Sequence, residues 1–375
     1  MAKNKFKVGV VTYHRANNYG AVLQAYALCE YLHKIGCNSE IVDYWPKYHS
    51  VVYHAFVWNQ SEFSKRDVLH KIAYIYSMVI CTFKRVIRNK NFNHFRTKYL
   101  NIGRKEGMVC YDAAFYGSDT IWNIWKQNDL HHGFDSVFWG NETILANYKF
   151  SYAPSMGNVI DTNETFAHCK KYLKNFNGIS VRETELKNKL QEWGWKNITK
   201  VVDPTLLLEI EDWNLLLDKK ISIKDYILCY NLENSQVIAS LAAQLSKETG
   251  FKVISLTGNV KRTFSRNVMD TAGPDTFLSL FKYAKFILTS SFHGVVFSII
   301  FNKQFCFHSE KETERISSLL ESCGLADRFV KTDNINTIHK TIDYDIVNKR
   351  LNIMRQDSYN YIANCLNKIK DEKSM

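Results

Sequence analysis

No two cysteines in this sequence have the Cys-x-x-Cys spacing, and the nine present, at positions 29, 37, 81, 110, 169, 229, 306, 323 and 365, are an odd number. That excludes a disulfide framework and a zinc ribbon and fits a reducing, cytoplasmic setting. No apolar run reaches the roughly 20 residues that a helix needs to cross a bilayer. The longest, Ile72 to Phe83, falls well short. A secretory leader is also missing: Lys3, Lys5 and Lys7 lead into a short strand-like run and then polar residues, not into a cleavable apolar region, so the chain is expected to stay where it is made. No internal repeat or low-complexity segment stands out. Glu183, Asp203 and Asp275 are the carboxylates that come nearest to a metal set, but no His/Asp/Glu spacing supports one, and no metal is expected.

What is present is an ordinary globular composition over 375 residues, with 46% hydrophobic and 23% charged residues. Disordered, collagen-like and coiled-coil readings fall away, and the length suits two packed domains. Lysine and arginine outnumber acids 49 to 37, a formal charge of +12. The sign points to an anionic partner: a phosphorylated metabolite, nucleic acid or an anionic membrane surface.

Strand-like and helix-like segments alternate. Phe6 to Tyr13 reads as a strand, His14 to Gly20 as a polar loop and Ala21 to Ile35 as a helix. Further strands are expected at Glu40–Tyr44, Ala113–Tyr116, Tyr148–Tyr152, Gly178–Val181 and Lys200–Val202. The alternation restarts after a polar connection near Asp218 to Asp225, with strands at Tyr226–Tyr230, Lys252–Leu256, Phe286–Leu288 and Gln304–Phe307. Helices are expected between them at Ser235–Thr249, Asp275–Tyr283 and Gly294–Phe301. The fold class is therefore α/β, with two doubly wound Rossmann-like domains: 1–220, 221–340, and a helical tail, 341–375, that returns to the first domain. Ligands of such sheets bind beyond the carboxyl ends of the strands. Four polar clusters lie there: Asn17 to Gly20, Gly117-Ser118-Asp119, Ser180 to Glu183, and Thr289-Ser290-Ser291-Phe292-His293-Gly294.

The opening VGVVTYHRANNYGAVLQAYAL resembles the polysaccharide pyruvyl transferase family, and the likeness continues through YGSDTIWN (116–123), SYAPSMG (151–157), ISVRE (179–183), VDPTLLL (202–208), TSSFHG (289–294) and ERISSLLESCGLADR (314–328). The resemblance implies a two-domain fold like that of the GT-B glycosyltransferases. It also implies transfer of pyruvate from phosphoenolpyruvate to two hydroxyls of a hexose, giving a cyclic ketal during capsule or exopolysaccharide assembly. Phosphoenolpyruvate is then a co-substrate, and no cofactor is expected. An arginine found in many relatives two residues before the histidine is replaced here by Ser291. Either Arg315 or a lysine such as Lys282 then supplies the missing charge, or the donor is bound differently.

Both anionic groups of that donor suit arginine. Arg182 matches the family's donor-holding arginine; the alternative is a surface ion pair with Glu183 or Glu185. His293, before Gly294 and a helix start, can bind an anion and move a proton, or can be a packed side chain. Ser290, Ser291, Gly294 and Arg315 complete the donor set, with a plain helix-start ion pair as the other reading of Arg315. On the acceptor side stand Asn17, Asn18, Gly20 and Ser118, or a turn and helix cap. Asp119 can accept a hydroxyl proton or cap a helix. Trp122, Trp125 and Trp139 can stack on a sugar or fill the core. The Gly273 to Thr276 stretch reads as a turn into a helix, with Asp275 or its neighbour as cap.

Two other functions share parts of this reading: a nucleotide-sugar glycosyltransferase on the same architecture, and a basic nucleic-acid-binding protein, which lacks any recognised motif. The acceptor alternatives are a lipid-linked, nucleotide-linked or polymeric sugar. Lys65, Arg66, Lys71, Lys84, Arg85, Arg88 and Lys90 flank the apolar run Ile72–Phe83, which is either a core helix or a surface that rests on the inner face of an anionic membrane.

Overall fold

The computed structural model describes residues 5–123, 133–157, 159, 161–218, 221, 223–262, 265–310 and 314–373. The expected boundary at residue 220 and Trp125 lie outside them. The first half forms a parallel sheet from β1 (Lys7–Val11), β2 (Asn38–Asp43), β3 (Ile102–Lys105), β4 (Tyr111–Tyr116) and β5 (Ala146–Ser151), in the order β3-β2-β1-β4-β5. β1 is central and covered on both faces, which is why Val8, Val10 and Val11 run without polar alternation. Val10 pairs with Ile41 on one side and Phe115 on the other. A short parallel pair, β6 (Ile179–Val181) and β7 (Ile198–Lys200), continues from β5 through a bridge between Phe150 and Gly178.

The second half repeats the plan with β8 (Tyr226–Tyr230), β9 (Lys252–Leu256), β10 (Val268–Met269), β11 (Phe286–Thr289) and β12 (Gln304–Phe307), ordered β10-β9-β8-β11-β12. Each sheet reverses its winding beside its first strand, between β1 and β4 and between β8 and β11. The loops after these strands open into the same region. The two doubly wound sheets and the returning terminal helix are as expected. Along that helix, Tyr344–Lys373, Arg355 donates to the carbonyls of Leu206 and Leu208, Tyr361 donates to the Ser151 carbonyl, and Ser358 accepts from the Val202 amide.

Three elements differ from expectation. β3, Ile-Gly-Arg-Lys, is an edge strand with little apolar signal. The run expected as a short apolar helix is part of one continuous α-helix of 32 residues, Val68–Tyr99, because no glycine or proline interrupts it. Asp67 caps its start by accepting from the His70 amide at 2.9 Å, and Phe92 and Phe95 bury its far end. β7 also sits two residues earlier than expected, which places Lys200 at its end and frees Val201 and Val202 to lead into Asp203.

The long helix ties the two halves together. Lys84 Nζ lies 2.7 Å from Asp270 and 3.1 Å from the Lys261 carbonyl, with both charged side chains buried. Arg88 reaches the Tyr19 hydroxyl at 2.9 Å and the Asp270 carbonyl at 3.0 Å, and its guanidinium stacks on Tyr19 and Phe92. Tyr19, in the helix Tyr19–Lys34, packs between Phe92 and Phe277 and donates to the Ala272 carbonyl. One apolar cluster thus runs from Val8 through Phe92 to Phe277 and Ile362. Lys84 and Arg88 are committed to this junction, so neither is available to lipid headgroups.

Removing one partner of a buried ion pair leaves the other charge stranded. Lys84→Met should lower unfolding stability by about 3–5 kcal/mol, with Lys84→Met/Asp270→Leu recovering much of the loss. Urea denaturation of the two variants checks this, and an unchanged midpoint for Lys84→Met would contradict the junction described.

Candidate active site

Asp203 follows β7 and starts a short helical turn, Pro204–Leu206, which it caps through the Thr205 amide at 3.0 Å. The Thr205 hydroxyl donates to the same oxygen at 2.7 Å. The other carboxylate oxygen receives Arg182 Nη1 at 2.7 Å and the Ser118 hydroxyl at 3.3 Å, and lies 3.9 Å from His293 Nε2. Four strand ends, after β4, β6, β7 and β11, therefore meet at one buried carboxylate.

Arg182 is buried, so the surface ion pair is excluded. Its Nε donates to Glu183 at 3.1 Å, and its guanidinium stacks on Phe292 at 4.8 Å. Burial is the largest influence on its charge and opposes it. Glu183, Asp203 and Asp119 together outweigh burial and hold the pKa above the ordinary value. Asp203 is likewise opposed by burial but held ionised below its ordinary value by His293, Arg182 and Thr205. His293 is pulled below the ordinary imidazole range by burial, with Arg182 and Arg315 adding to that effect and Asp203 and Asp119 resisting it.

Three buried polar atoms in this cluster have no hydrogen-bond partner: Arg182 Nη2, Glu183 Oε2 and His293 Nε2. Native interiors leave few such groups, and those they leave cluster where a ligand completes them. Two of the three can donate, so the cluster suits an anion.

Gly20 abuts the histidine from the first domain. A Cβ there would lie 2.0 Å from His293 Nδ1, so the position has room only for hydrogen. Gly117 is similarly closed, with positive φ and the Tyr152 carbonyl 1.9 Å from any Cβ. Asp119 follows it with φ of 67° and accepts from the Thr120 amide. Its charge acts on Arg182, His293 and Arg315 and also on His49 and Tyr53 across the mouth.

The remaining candidates divide. Arg315, the second residue of the helix Glu314–Cys323, has its guanidinium 5.6 Å from the Phe292 ring that Arg182 also stacks on, and shares a pocket with Arg182. Lys282 stacks on Phe301 and does not line that pocket. Ser118 is held by Ala153, Gln24 and Asp203. Asn18 caps the first helix, while Asn17 donates to Asn89 and accepts from Arg96, so its amide braces the loop. Ser290 accepts from the Leu232 and Glu233 amides, and Ser291 precedes the helix Phe292–Ile300 without capping it. Gly294 lets that helix approach Thr289, whose hydroxyl a Cβ would meet at 2.1 Å. Trp122 and Trp139 stack on each other at 4.4 Å in the core and present no face to a sugar. Gly273 caps the helix Pro274–Tyr283, with Asp275 in its first turn.

Asp203 was legible only within VDPTLLL and as a poor metal ligand; Phe292 and Ser318 carried no sequence signal beyond their places in motifs, and Lys200 none beyond the start of an expected strand. Lys200 and Ser318 line the pocket with Arg182 and Arg315, joined by a 2.8 Å hydrogen bond.

No curated protein matches the chain. Solved structures with a similar course include UDP-GlcNAc 2-epimerase from Neisseria meningitidis bound to UDP-GlcNAc, 9% identical, covering 94% of this chain and 100% of that one at a TM-score of 0.48. The UDP-GlcNAc 2-epimerase from Methanocaldococcus jannaschii is 11% identical, over 90% and 91% of the two chains, at 0.46. The glycosyltransferase SnogD from Streptomyces nogalater is 9% identical, over 98% and 99%, at 0.40. The family model for polysaccharide pyruvyl transferase matches residues 18–309, a span that holds Asp119, Arg182, Asp203 and His293. By that match over most of its length, the chain belongs to the polysaccharide pyruvyl transferase family.

Proposed function

We propose that the protein transfers pyruvate from phosphoenolpyruvate to two hydroxyls of a hexose, closing a cyclic ketal in bacterial capsule or exopolysaccharide assembly. The observation that carries this reading is the buried, charged Arg182 with a free Nη2 beside the free Nε2 of His293. Such a pair is an anion site waiting for its ligand.

In the proposed reaction the enol carbon gains a proton and carbon 2 becomes oxocarbenium-like. One sugar hydroxyl adds there, phosphate leaves with its bridging oxygen, and the second hydroxyl closes the ring. Two hydroxyl protons are released; one is balanced by the new methyl group and the other leaves with phosphate. Asp119 accepts a hydroxyl proton at the mouth. His293 passes a proton to the enol carbon, because the bound anion favours its imidazolium. Arg182 stays charged throughout and stabilises the departing negative charge in a dry site.

Phosphoenolpyruvate with a galactose-like hexose acceptor should release inorganic phosphate. Arg182→Ala and His293→Ala should each reduce turnover roughly 100-fold or more while remaining folded. Because burial pulls free His293 below its ordinary 6.5 and its imidazolium is the acid in this step, kcat/KM should be highest at acid pH and fall as pH rises through that lowered pKa. Phosphate-release assays across pH check all three. Indifference to phosphoenolpyruvate with stabilisation by a nucleotide sugar would favour a glycosyltransferase instead.

A lipid-linked acceptor would be met at a membrane surface. No helix among the described residues is long and apolar enough to cross a membrane. The long helix instead exposes Val68, Ile72, Ile75, Val79, Phe83 and Val86 at helical spacing, with Phe56 and Trp58 also exposed. Exposed Lys65 and Lys90 and half-buried Arg85 remain to meet anionic headgroups, each worth about 1 kcal/mol. Pelleting with anionic liposomes at low salt, release at high salt and weaker retention by neutral liposomes are expected. Equally negligible binding to both kinds would remove the membrane from the account.

A further inference from the structure

A second cavity adjoins the reacting groups and shares no lining residue with the pocket around Arg182 and Arg315. It has a volume of 330 Å³, within the range of about 300–1,000 Å³ typical of small-molecule sites. The loops after β1, β8 and β9 and the long helix form its walls, so both halves of the chain contribute. Three contacts tie it to the site. The Asn17–Tyr19 wall leads directly into Gly20, which abuts His293. Tyr230 is in reach of Ser291, two residues before the same histidine. Tyr53 feels the charge of Asp119: burial, and then that carboxylate, push its phenol up to about 12.

The lining is cationic and rich in amides. Arg88 and Lys261 are its charged residues, and no carboxylate lines it. The acceptors of Arg88 are all uncharged: the Tyr19 hydroxyl and the carbonyls of Asn17, Thr257 and Asp270. The exposed side chain of Lys261 has no hydrogen bond or ion pair among the described residues. Two acids close in sequence or space are engaged elsewhere: the Asp270 carboxylate takes Lys84 and the Lys261 amide, and Glu233 accepts from Ser309. The side-chain amides of Asn234 and Asn259 are also without hydrogen bonds among the described residues, and each can both donate and accept.

From this arrangement we infer that the cavity seats the acceptor, and that the acceptor is a hexose carrying a phosphate or diphosphate at its anomeric carbon. The end of a neutral polymer asks only for hydroxyl partners and gives the two cations nothing to pair with. A sugar phosphate uses the whole lining. The free carboxamides meet hydroxyls, and Lys261 meets the phosphate as a compact point charge. Arg88 adds its field from a buried position, where salt screens it little. Under the proposed function, on which the role as acceptor rests, the hexose lies at the Tyr53–Asp119 end and its phosphate at Lys261. Nucleotide-linked and lipid-linked sugars share this chemistry, and a finished neutral polymer lacks it.

Calorimetric titration of the full chain with galactose 1-phosphate, UDP-galactose and phosphoenolpyruvate tests the seat without requiring turnover. Lys261→Met should weaken both sugar phosphates about tenfold or more, as for losing one hydrogen bond to a charged group, and leave phosphoenolpyruvate unchanged. Lys261→Arg should restore most of the affinity. Arg182→Ala should do the reverse, weakening phosphoenolpyruvate and sparing both sugar phosphates, and saturating phosphoenolpyruvate should not displace galactose 1-phosphate. Should Lys261→Met fail to fold, Asn259→Ala carries the test, with a smaller loss confined to the sugar phosphates. Unchanged sugar-phosphate affinity in Lys261→Met, or displacement of galactose 1-phosphate by phosphoenolpyruvate, would overturn the seat. Galactose diphosphate on a short polyprenyl chain, presented in detergent micelles, separates the two sources: binding through Lys261 tighter than that of UDP-galactose assigns a lipid-linked acceptor, and weaker binding a nucleotide-linked one. Sugar phosphates bound through Lys261 by an enzyme that forms no ketal would keep the seat and reject the proposed reaction alone. Ketal formation on an uncharged galactoside as fast as on galactose 1-phosphate would keep the reaction and reject the seat.

Discussion

A carboxylate taken out of water costs several kcal/mol unless it is paired and hydrogen-bonded, and Asp203 is fully withdrawn. Its needs organise this protein. Arg182 comes to it from the end of β6, Ser118 from the end of β4, Thr205 from the next turn of its own chain, and His293 from the helix after β11. The proposed reaction draws on Arg182 and His293 from this same set, so the elements that satisfy the buried acid also fix the groups the proposal uses. Asp203, held ionised below its ordinary value, joins Glu183 in offsetting the burial that opposes the Arg182 charge.

That constraint works only if the two halves stay in register. Gly20 meets His293 with no space for a side chain, Tyr19 is clasped by aromatic rings from the long helix and from the second half, and Lys84 and Arg88 pin the same helix to Asp270. The apolar cluster that runs through this junction is continuous. The cleft is therefore preorganised: fixed positive charge and fixed donors stand in place before any ligand arrives, which is the condition under which electrostatic stabilisation of a leaving phosphate is strongest.

Much of this was legible in the residues. The alternation of strand and helix, the polar strand ends and the candidacy of Arg182 and His293 follow from local pattern and from the family motifs. Other parts were not. β3 is a polar edge strand, and the long helix continues past its apolar run because nothing breaks it, although its middle is too basic to look buried. Lys84 and Arg88 read as surface charges in sequence, yet each finds a partner more than 180 residues away. Lys200 and Ser318 meet only because β7 ends opposite the Glu314–Cys323 helix. Long-range pairings of polar side chains leave no periodic signature, whereas burial of apolar faces does.

The central claim is that the buried Arg182–Asp203–His293 site breaks the bond between carbon 2 of phosphoenolpyruvate and its bridging oxygen. Turnover of phosphoenolpyruvate labelled with oxygen-18 at that bridge, in the presence of a hexose acceptor, reads the broken bond directly. Addition of the sugar to carbon 2 predicts that all of the label leaves in inorganic phosphate and none stays with the three-carbon unit in the sugar product. Label retained on the three-carbon unit would mean cleavage between phosphorus and oxygen, a phosphoryl transfer or hydrolysis, and would contradict the account.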